Sequence, residues 1–175
     1  MQQFLAGAFA IILLFLSACA PTSAPQEPVQ ELKVVAIDTA AIVMGQTIYV
    51  PVYSHIYSPD RTQQMNLTAT LSVRNTDLAN PMIIAAVNYY NTNGERVRQY
   101  LEQPVELRPL AATSFVVDRD DTAGGVGASF VVEWVSQTPV SDPVVEAVMI
   151  NTAGNQGLSL VSQGRVIQTR SANRP

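Results

Sequence analysis

The sequence predicts an all-β domain, an immunoglobulin-like antiparallel β-sandwich that follows a signal peptide and a short Pro-rich tether. Short runs of alternating apolar and polar residues recur along the chain, and turn-forming residues separate them about every 8–12 residues. After the N-terminal apolar run, no stretch combines apolar residues at helical spacing with capping residues. A small closed β-barrel is the alternative, because the same strands would build it.

Residues 1–18 have the features of a lipoprotein signal peptide. The apolar run Phe4–Leu16 contains no charged side chain. It is shorter than the roughly 20 residues that cross a bilayer, and it suits the apolar region of a secretory signal. Leu16, Ser17 and Ala18 then precede Cys19, the only cysteine of the chain, and together they resemble the bacterial lipobox. The resemblance implies cleavage after Ala18 and attachment of palmitate-type acyl chains to Cys19.

Residues 19–31 are predicted to be a lipidated cysteine followed by a flexible tether, because Pro21, Pro25 and Pro28 lie among small and polar residues. Ala20 stands where an Asp favours retention on the inner membrane in two-membrane bacteria. The resemblance to lipoproteins therefore implies a lipid-anchored protein of the outer membrane that faces the periplasm.

The sandwich domain is predicted over residues 32–170, with a disordered tail at 171–175. The first strands are Val34–Ile37 and Thr47–Tyr53. Because Pro51 cannot donate to a ladder, the second of them is predicted to be an edge strand or to carry a bulge. The clearest strand is Met65–Arg74, where apolar and polar residues alternate strictly.

The later strands follow from β-rich runs between turn signals. Asn93-Gly94 predicts a hairpin, and Gln163-Gly164 predicts a final hairpin between the last two strands. Trp134 is assigned to the core, and Glu133 beside it is predicted to face the opposite way. The remaining predicted strands are Met82–Tyr90, Glu95–Leu101, Val105–Leu107, Ser114–Val117, Ala128–Val135, Val144–Ile150, Leu158–Val161 and Arg165–Thr169.

Several passages together resemble a family of small bacterial envelope lipoproteins that is known only as a domain of unknown function. These passages are Tyr49–Asp60, Leu67–Asp77, Val87–Leu110, Asp121–Trp134 and Val145–Ile167. The resemblance covers about residues 46–168. It implies no activity and supplies no catalytic residues.

Composition excludes several classes of function. The formal net charge of -4 is unfavourable for nucleic-acid binding, because a phosphate backbone requires a basic surface. One cysteine excludes an internal disulfide and a Cys-rich zinc site, and no cofactor motif is present. We therefore expect a non-enzymatic binding or envelope-assembly module without a cofactor. Its expected partners are the membrane, through the lipid on Cys19, and a protein or another envelope component.

The predicted partner contact consists of Tyr49, Tyr53, His55 and Tyr57. Even spacing places Tyr49 and Tyr53 opposite the Ile and Val residues of their strand, and tyrosines are favoured at binding surfaces. The competing interpretation is that the N-terminal segment covers these rings and buries them.

Two other functions use residues of one acidic loop. A periplasmic hydrolase would combine His55 with a serine and one of Asp118, Asp120 or Asp121, since histidine suits acid–base chemistry near neutral pH. A calcium-dependent structural or adhesion domain would use the same three carboxylates as weak candidate ligands. The spacing lacks the EF-hand order, and an acidic turn is the simpler interpretation.

Overall fold

The computed structural model describes residues 32–153 and 157–171. The predicted signal peptide, Cys19 with its tether, and residues 172–175 of the predicted tail lie outside the described residues. Ser171, which the tail prediction includes, belongs to the last strand.

The described residues form thirteen β-strands and one short 3-10 helix, Thr39–Ala41. The strands are β1 (Lys33–Val34), β2 (Met44–Pro51), β3 (His55–Tyr57), β4 (Gln64–Asn66), β5 (Thr68–Arg74), β6 (Met82–Tyr90), β7 (Arg96–Gln99), β8 (Val105–Leu107), β9 (Ala112–Val117), β10 (Ser129–Ser136), β11 (Val144–Asn151), β12 (Leu158–Gln163) and β13 (Arg165–Ser171).

Two antiparallel sheets form the body of the domain. The large sheet has the order β1-β8-β6-β10-β2-β13, with β7 also paired to β6, and the small sheet has the order β12-β11-β5-β9. Strands β3 and β4 form a separate hairpin. Neither sheet closes on itself among the described strands. The all-β sandwich prediction is therefore confirmed, and the barrel alternative is wrong.

The core lies between the two sheets. Phe130 and Trp134 from the large sheet and Leu71 and Met149 from the small sheet are fully buried in one apolar cluster. Burial of each such side chain contributes about 1.5–3 kcal/mol. The core assignment of Trp134 is confirmed, and its indole N–H donates to Gln46 Oε1 at 3.2 Å, as a buried tryptophan requires.

Local patterns predicted several strands closely. Strands β6 and β8 have the predicted bounds. The Asn93-Gly94 hairpin is confirmed, because β6 and β7 pair antiparallel around Gly94, which has a φ of +79°. The long run Met65–Arg74 is instead divided at Leu67, whose N–H donates to the Ser54 carbonyl at 2.9 Å and so extends the β3–β4 hairpin, while β5 joins the small sheet.

The edge assignment of β2 is wrong. This strand lies inside the large sheet, with β10 on one side and β13 on the other. Its pairing with β13 ends at Tyr49, which faces Arg165. Pro51 lies beyond that point and pairs only with Ser129 of β10. The missing N–H of the proline is therefore tolerated at the end of an interior strand.

The predicted final hairpin is also wrong. Strand β12 pairs with β11 in the small sheet, whereas β13 pairs with β2 in the large sheet. The chain crosses between the sheets at Gly164, whose N–H donates to the Val145 carbonyl at 2.8 Å. A Cβ at this position would lie 2.6 Å from Ile48 Cγ2. The glycine therefore provides a close crossing rather than a tight turn.

Candidate functional site

The tyrosines of the predicted contact are exposed. Tyr49 retains 36%, Tyr53 39% and Tyr57 48% of its accessible surface, whereas Ile48 and Val50 on the opposite face of β2 are buried. The alternation therefore placed the rings on the correct side, and burial beneath the N-terminal segment is not seen among the described residues.

These tyrosines do not form one aromatic cluster. Tyr49 lies on the outer face of the large sheet, in an open hollow that Tyr90 and Val131 also line. Tyr57 belongs to the β3–β4 hairpin, where its ring meets that of His55 edge-on with centroids 5.5 Å apart. The predicted contact is thus divided between a sheet face and a hairpin.

His55 has no assembled catalytic partners in the described part of the chain. Its Nδ1 lies 3.4 Å from Ser54 Oγ. Ser54 is buried, and its Oγ lies 3.1 Å from the Gly125 carbonyl, so the hydroxyl proton is directed toward the backbone. No described carboxylate is hydrogen-bonded to the imidazole. The geometry does not bring together the three groups of a hydrolytic triad.

The acidic loop is arranged for ion pairing. Asp121 Oδ2 lies 2.7 Å from Arg98 Nη2, and its Oδ1 accepts the Ala123 N–H at 3.2 Å. Asp120 lies 3.3 Å from the guanidinium of Arg119. Within residues 32–153 and 157–171, no group of three His, Cys, Asp or Glu side chains could hold a metal ion. The described carboxylates of this loop therefore do not form the clustered ligand set that the calcium interpretation requires.

Arg98, Tyr100, Phe115, Val116 and Asp121 instead form what we call the closed flank. The Tyr100 hydroxyl donates to the Val116 carbonyl at 2.8 Å and accepts from Arg98 Nη1 at 3.2 Å. The Tyr100 ring packs 5.5 Å from that of Phe115. Burial raises the pKa of Tyr100, and the hydrogen bond from Arg98 opposes this effect. Because Tyr100 directly follows β7, these contacts tie the large sheet to β9, one of the two edge strands of the small sheet.

Strand β13, Arg165–Ser171, forms the opposite end of the large sheet, and we call it the free edge. It pairs only with β2, and no described residue pairs with its other side. All seven of its residues are exposed. The pairing shifts between Val166 and Gln168, so Ile167 has no partner on β2. Such a row of unpaired backbone donors and acceptors is a site for strand addition.

A groove of about 140 Å³ lies beside the free edge. Gln168 and Arg170 of β13 line it together with Thr47 and Glu133. Glu133 is paired with Thr47 in the sheet, on the face opposite the buried Trp134, as the alternation predicts. Glu146, on the outer face of the small sheet, is instead paired with Arg74 at 3.4 Å.

Sequence reasoning missed the free edge as a candidate site. A signal was present, because all fourteen Asp and Glu residues lie at or before Glu146, while Arg165, Arg170 and Arg174 follow it. The basic C-terminal stretch of this acidic chain coincides with one of its exposed strands.

No helix within the described residues combines the length and the apolar character needed to cross a bilayer. A family model described as "Protein of unknown function (DUF3124)" matches residues 45–167, from β2 into β13. A comparison with curated proteins gave no match. A solved structure entitled "Crystal Structure of Thermotoga maritima 1070" is 14% identical, with a TM-score of 0.40, over 69% of this chain and 92% of that chain.

Proposed function

The chain belongs to the DUF3124 family of proteins of unknown function, and from this premise we propose that it is a lipid-anchored, non-enzymatic binding module of the bacterial cell envelope. The family description names no activity. The observation that carries the proposal is the free edge, a seven-residue strand with every residue exposed and no described partner on one side.

Strand addition is the binding mode that this geometry supports. An extended segment of another protein would continue the large sheet beyond β13 through main-chain hydrogen bonds. Each such bond contributes about 0.5–1.5 kcal/mol net. Several of them along seven residues are sufficient for a specific contact, and no catalytic group is needed.

The lipid anchor in this proposal rests on the lipobox resemblance at Leu16–Cys19. Two or more acyl chains give stable membrane attachment, because each buried methylene contributes about 0.8 kcal/mol. The Pro-rich residues 20–31 would then connect the anchor to the domain, which meets its partner from the membrane surface. Ala20 supports an outer-membrane location facing the periplasm.

The anchor is tested by replacing its only thiol. Radioactive palmitate should label the full chain, and a Cys19→Ser variant should lose both the label and its place in the detergent phase of a phase-separation assay. Ala20→Asp should keep the label and move the protein toward the inner-membrane fraction of a density gradient. Persistence of the label in Cys19→Ser would contradict lipid attachment.

The binding surface is tested by photocrosslinking in intact cells. A photoreactive amino acid at Gln168 of the free edge should give a discrete adduct of the full chain. The matched control is Ser114, which is exposed on β9 beside the closed flank. Adducts of equal yield from both positions, or none from Gln168, would reject β13 as the binding edge.

A further inference from the structure

We infer that the free edge receives a strand of an acidic partner polypeptide and not a second copy of this chain. The inference rests on the proposed function, since it names the chemistry of the partner that adds to β13.

The first argument is the charge of the edge. Arg165 and Arg170 lie near the two ends of β13, and no acidic residue follows Glu146 in the chain. The whole chain has a formal net charge of -4. The residues of β13 therefore include two arginines and no carboxylate, on an acidic protein. Glu133 lines the neighbouring groove with Arg170, and the two arginines attract carboxylates from a strand laid beside β13.

The second argument is the face on which these charges lie. Arg165 is paired with Tyr49, Gln168 with Thr47 and Arg170 with Gly45. These three β2 positions alternate with the buried Ile48, so the three side chains of β13 belong to the outer face of the large sheet. A partner strand with one acidic residue near each end, both on that face, would meet both arginines.

The third argument concerns self-association. If β13 of two copies paired antiparallel about its centre, Arg165 of one copy would lie opposite or diagonal to Arg170 of the other. Like charges at such cross-strand positions destabilise the pairing. The unpaired Ile167 and the two arginines are also the devices that protect edge strands from self-pairing. A strand with complementary charge is not opposed by the two arginines.

Apolar contact adds to the recognition. Val166 is 49% exposed and Ile167 is 60% exposed. An added strand with β-branched residues between its two carboxylates would cover both of these side chains, which suits an extended segment better than a compact surface.

The test uses two ten-residue peptides and the full chain in detergent micelles. Both peptides alternate Thr and Val, and they carry either Glu or Lys near each end. The Glu peptide should bind at least 10-fold more tightly in fluorescence anisotropy and should slow amide hydrogen exchange within Arg165–Ser171. The Arg165→Glu/Arg170→Glu variant should reverse this preference. The matched control, Arg61→Glu/Arg108→Glu, changes two exposed arginines away from β13. It should retain the preference for the Glu peptide.

Several outcomes would overturn the inference. Equal binding of both peptides with protection of β13 would reject the acidic partner and leave strand addition standing. Failure of both peptides to bind would reject charge-selected pairing even if the crosslink from Gln168 is found. Binding of polyphosphate without slower exchange in β13 would make the arginines a simple anion site. A dimer that protects β13 at micromolar concentration would make a second copy the occupant.

Discussion

The closed flank and the free edge lie on the two sides where the sheets end, and they differ in how their side chains contact the backbone of the edge strand. At the closed flank, the carbonyl of Val116 is occupied by the Tyr100 hydroxyl, and Arg98 is paired with Asp121. At the free edge, no described side chain caps the unpaired backbone of β13, and its exposed residues include two arginines. A side chain thus satisfies one carbonyl of β9, whereas β13 is protected only by charge and a bulge. We take this difference to locate the binding surface.

The largest contrast should appear between a core side chain that contacts the closed flank and a side chain of the free edge. Phe130 is fully buried, and its ring packs 5.7 Å from that of Tyr100. Phe130→Ala should lower the free energy of unfolding by about 3–5 kcal/mol, because a cavity is left in the core. Ile167→Ala on the free edge should change it by no more than about 0.5 kcal/mol. Urea denaturation of the full chain measures both, and equal effects would remove the distinction.

Substitution of a glycine beneath the closed flank should have the next largest effect on the free energy of unfolding. A Cβ at Gly124 would overlap the hydroxyl of the buried Tyr89. Gly124→Ala should therefore destabilise the protein by about 1–3 kcal/mol through overpacking. Tyr89→Phe removes the overlapping oxygen and should recover part of this loss in the double variant. An identical cost of Gly124→Ala in both backgrounds would show that the contact with Tyr89 is not its cause.

A loss of stability at alkaline pH should also originate on this side. Burial raises the pKa of Tyr89 from 10.0 to about 12, with a smaller contribution from nearby Asp121. Between these values the unfolded chain loses a proton that the folded chain keeps. The contribution of Tyr89 to the free energy of unfolding is therefore fully present below pH 10. It falls as the pH rises toward 12, by at most about 1.4 kcal/mol per pH unit. The denaturation midpoint of wild type should fall relative to that of Tyr89→Phe across this range; parallel curves would contradict the assignment.

The smallest effect should come from the ion pair of the closed flank. The Arg98 side chain is 42% exposed and that of Asp121 is 19% exposed. A double-mutant cycle with Arg98→Met and Asp121→Asn should give a coupling energy of about 0.2–1 kcal/mol. This coupling should shrink in 1 M salt, since the Debye length then falls to about 3 Å. A coupling energy that does not change with salt would point to packing of the arginine stem instead.

Residue patterns predicted the strands and their buried faces better than they predicted which strands pair with one another. Alternation in β5 places Leu71 and Val73 in the core, and it correctly exposes Tyr49 on β2. Alternation does not identify the strand that lies alongside, so Pro51 suggested an edge for an interior strand. Gly164 likewise marked a change of direction, but the crossing between sheets depends on contacts with Val145 and Ile48 that are remote in sequence.

The candidate site shows the same limit. The carboxylates near Asp121 suggested a metal ligand set, because the partner Arg98 lies on another strand, 23 residues away in sequence. The aromatic contact was predicted from spacing along one segment, whereas the fold places Tyr49 on a sheet face and Tyr57 on a hairpin. Exposure of β13 depends on which strands remain unpaired after both sheets have formed, and local sequence does not determine this.

The most direct test of the account is hydrogen exchange of the full chain, measured by mass spectrometry, once purified in micelles and once in its native envelopes. We predict that the amides of Arg165–Ser171 exchange more slowly in the envelopes, because a partner strand occupies the free edge. Ala112–Val117 in β9, beside the closed flank, should exchange at the same rate in both preparations. Unchanged exchange in β13 between the two preparations would contradict the claim that the free edge is the binding surface.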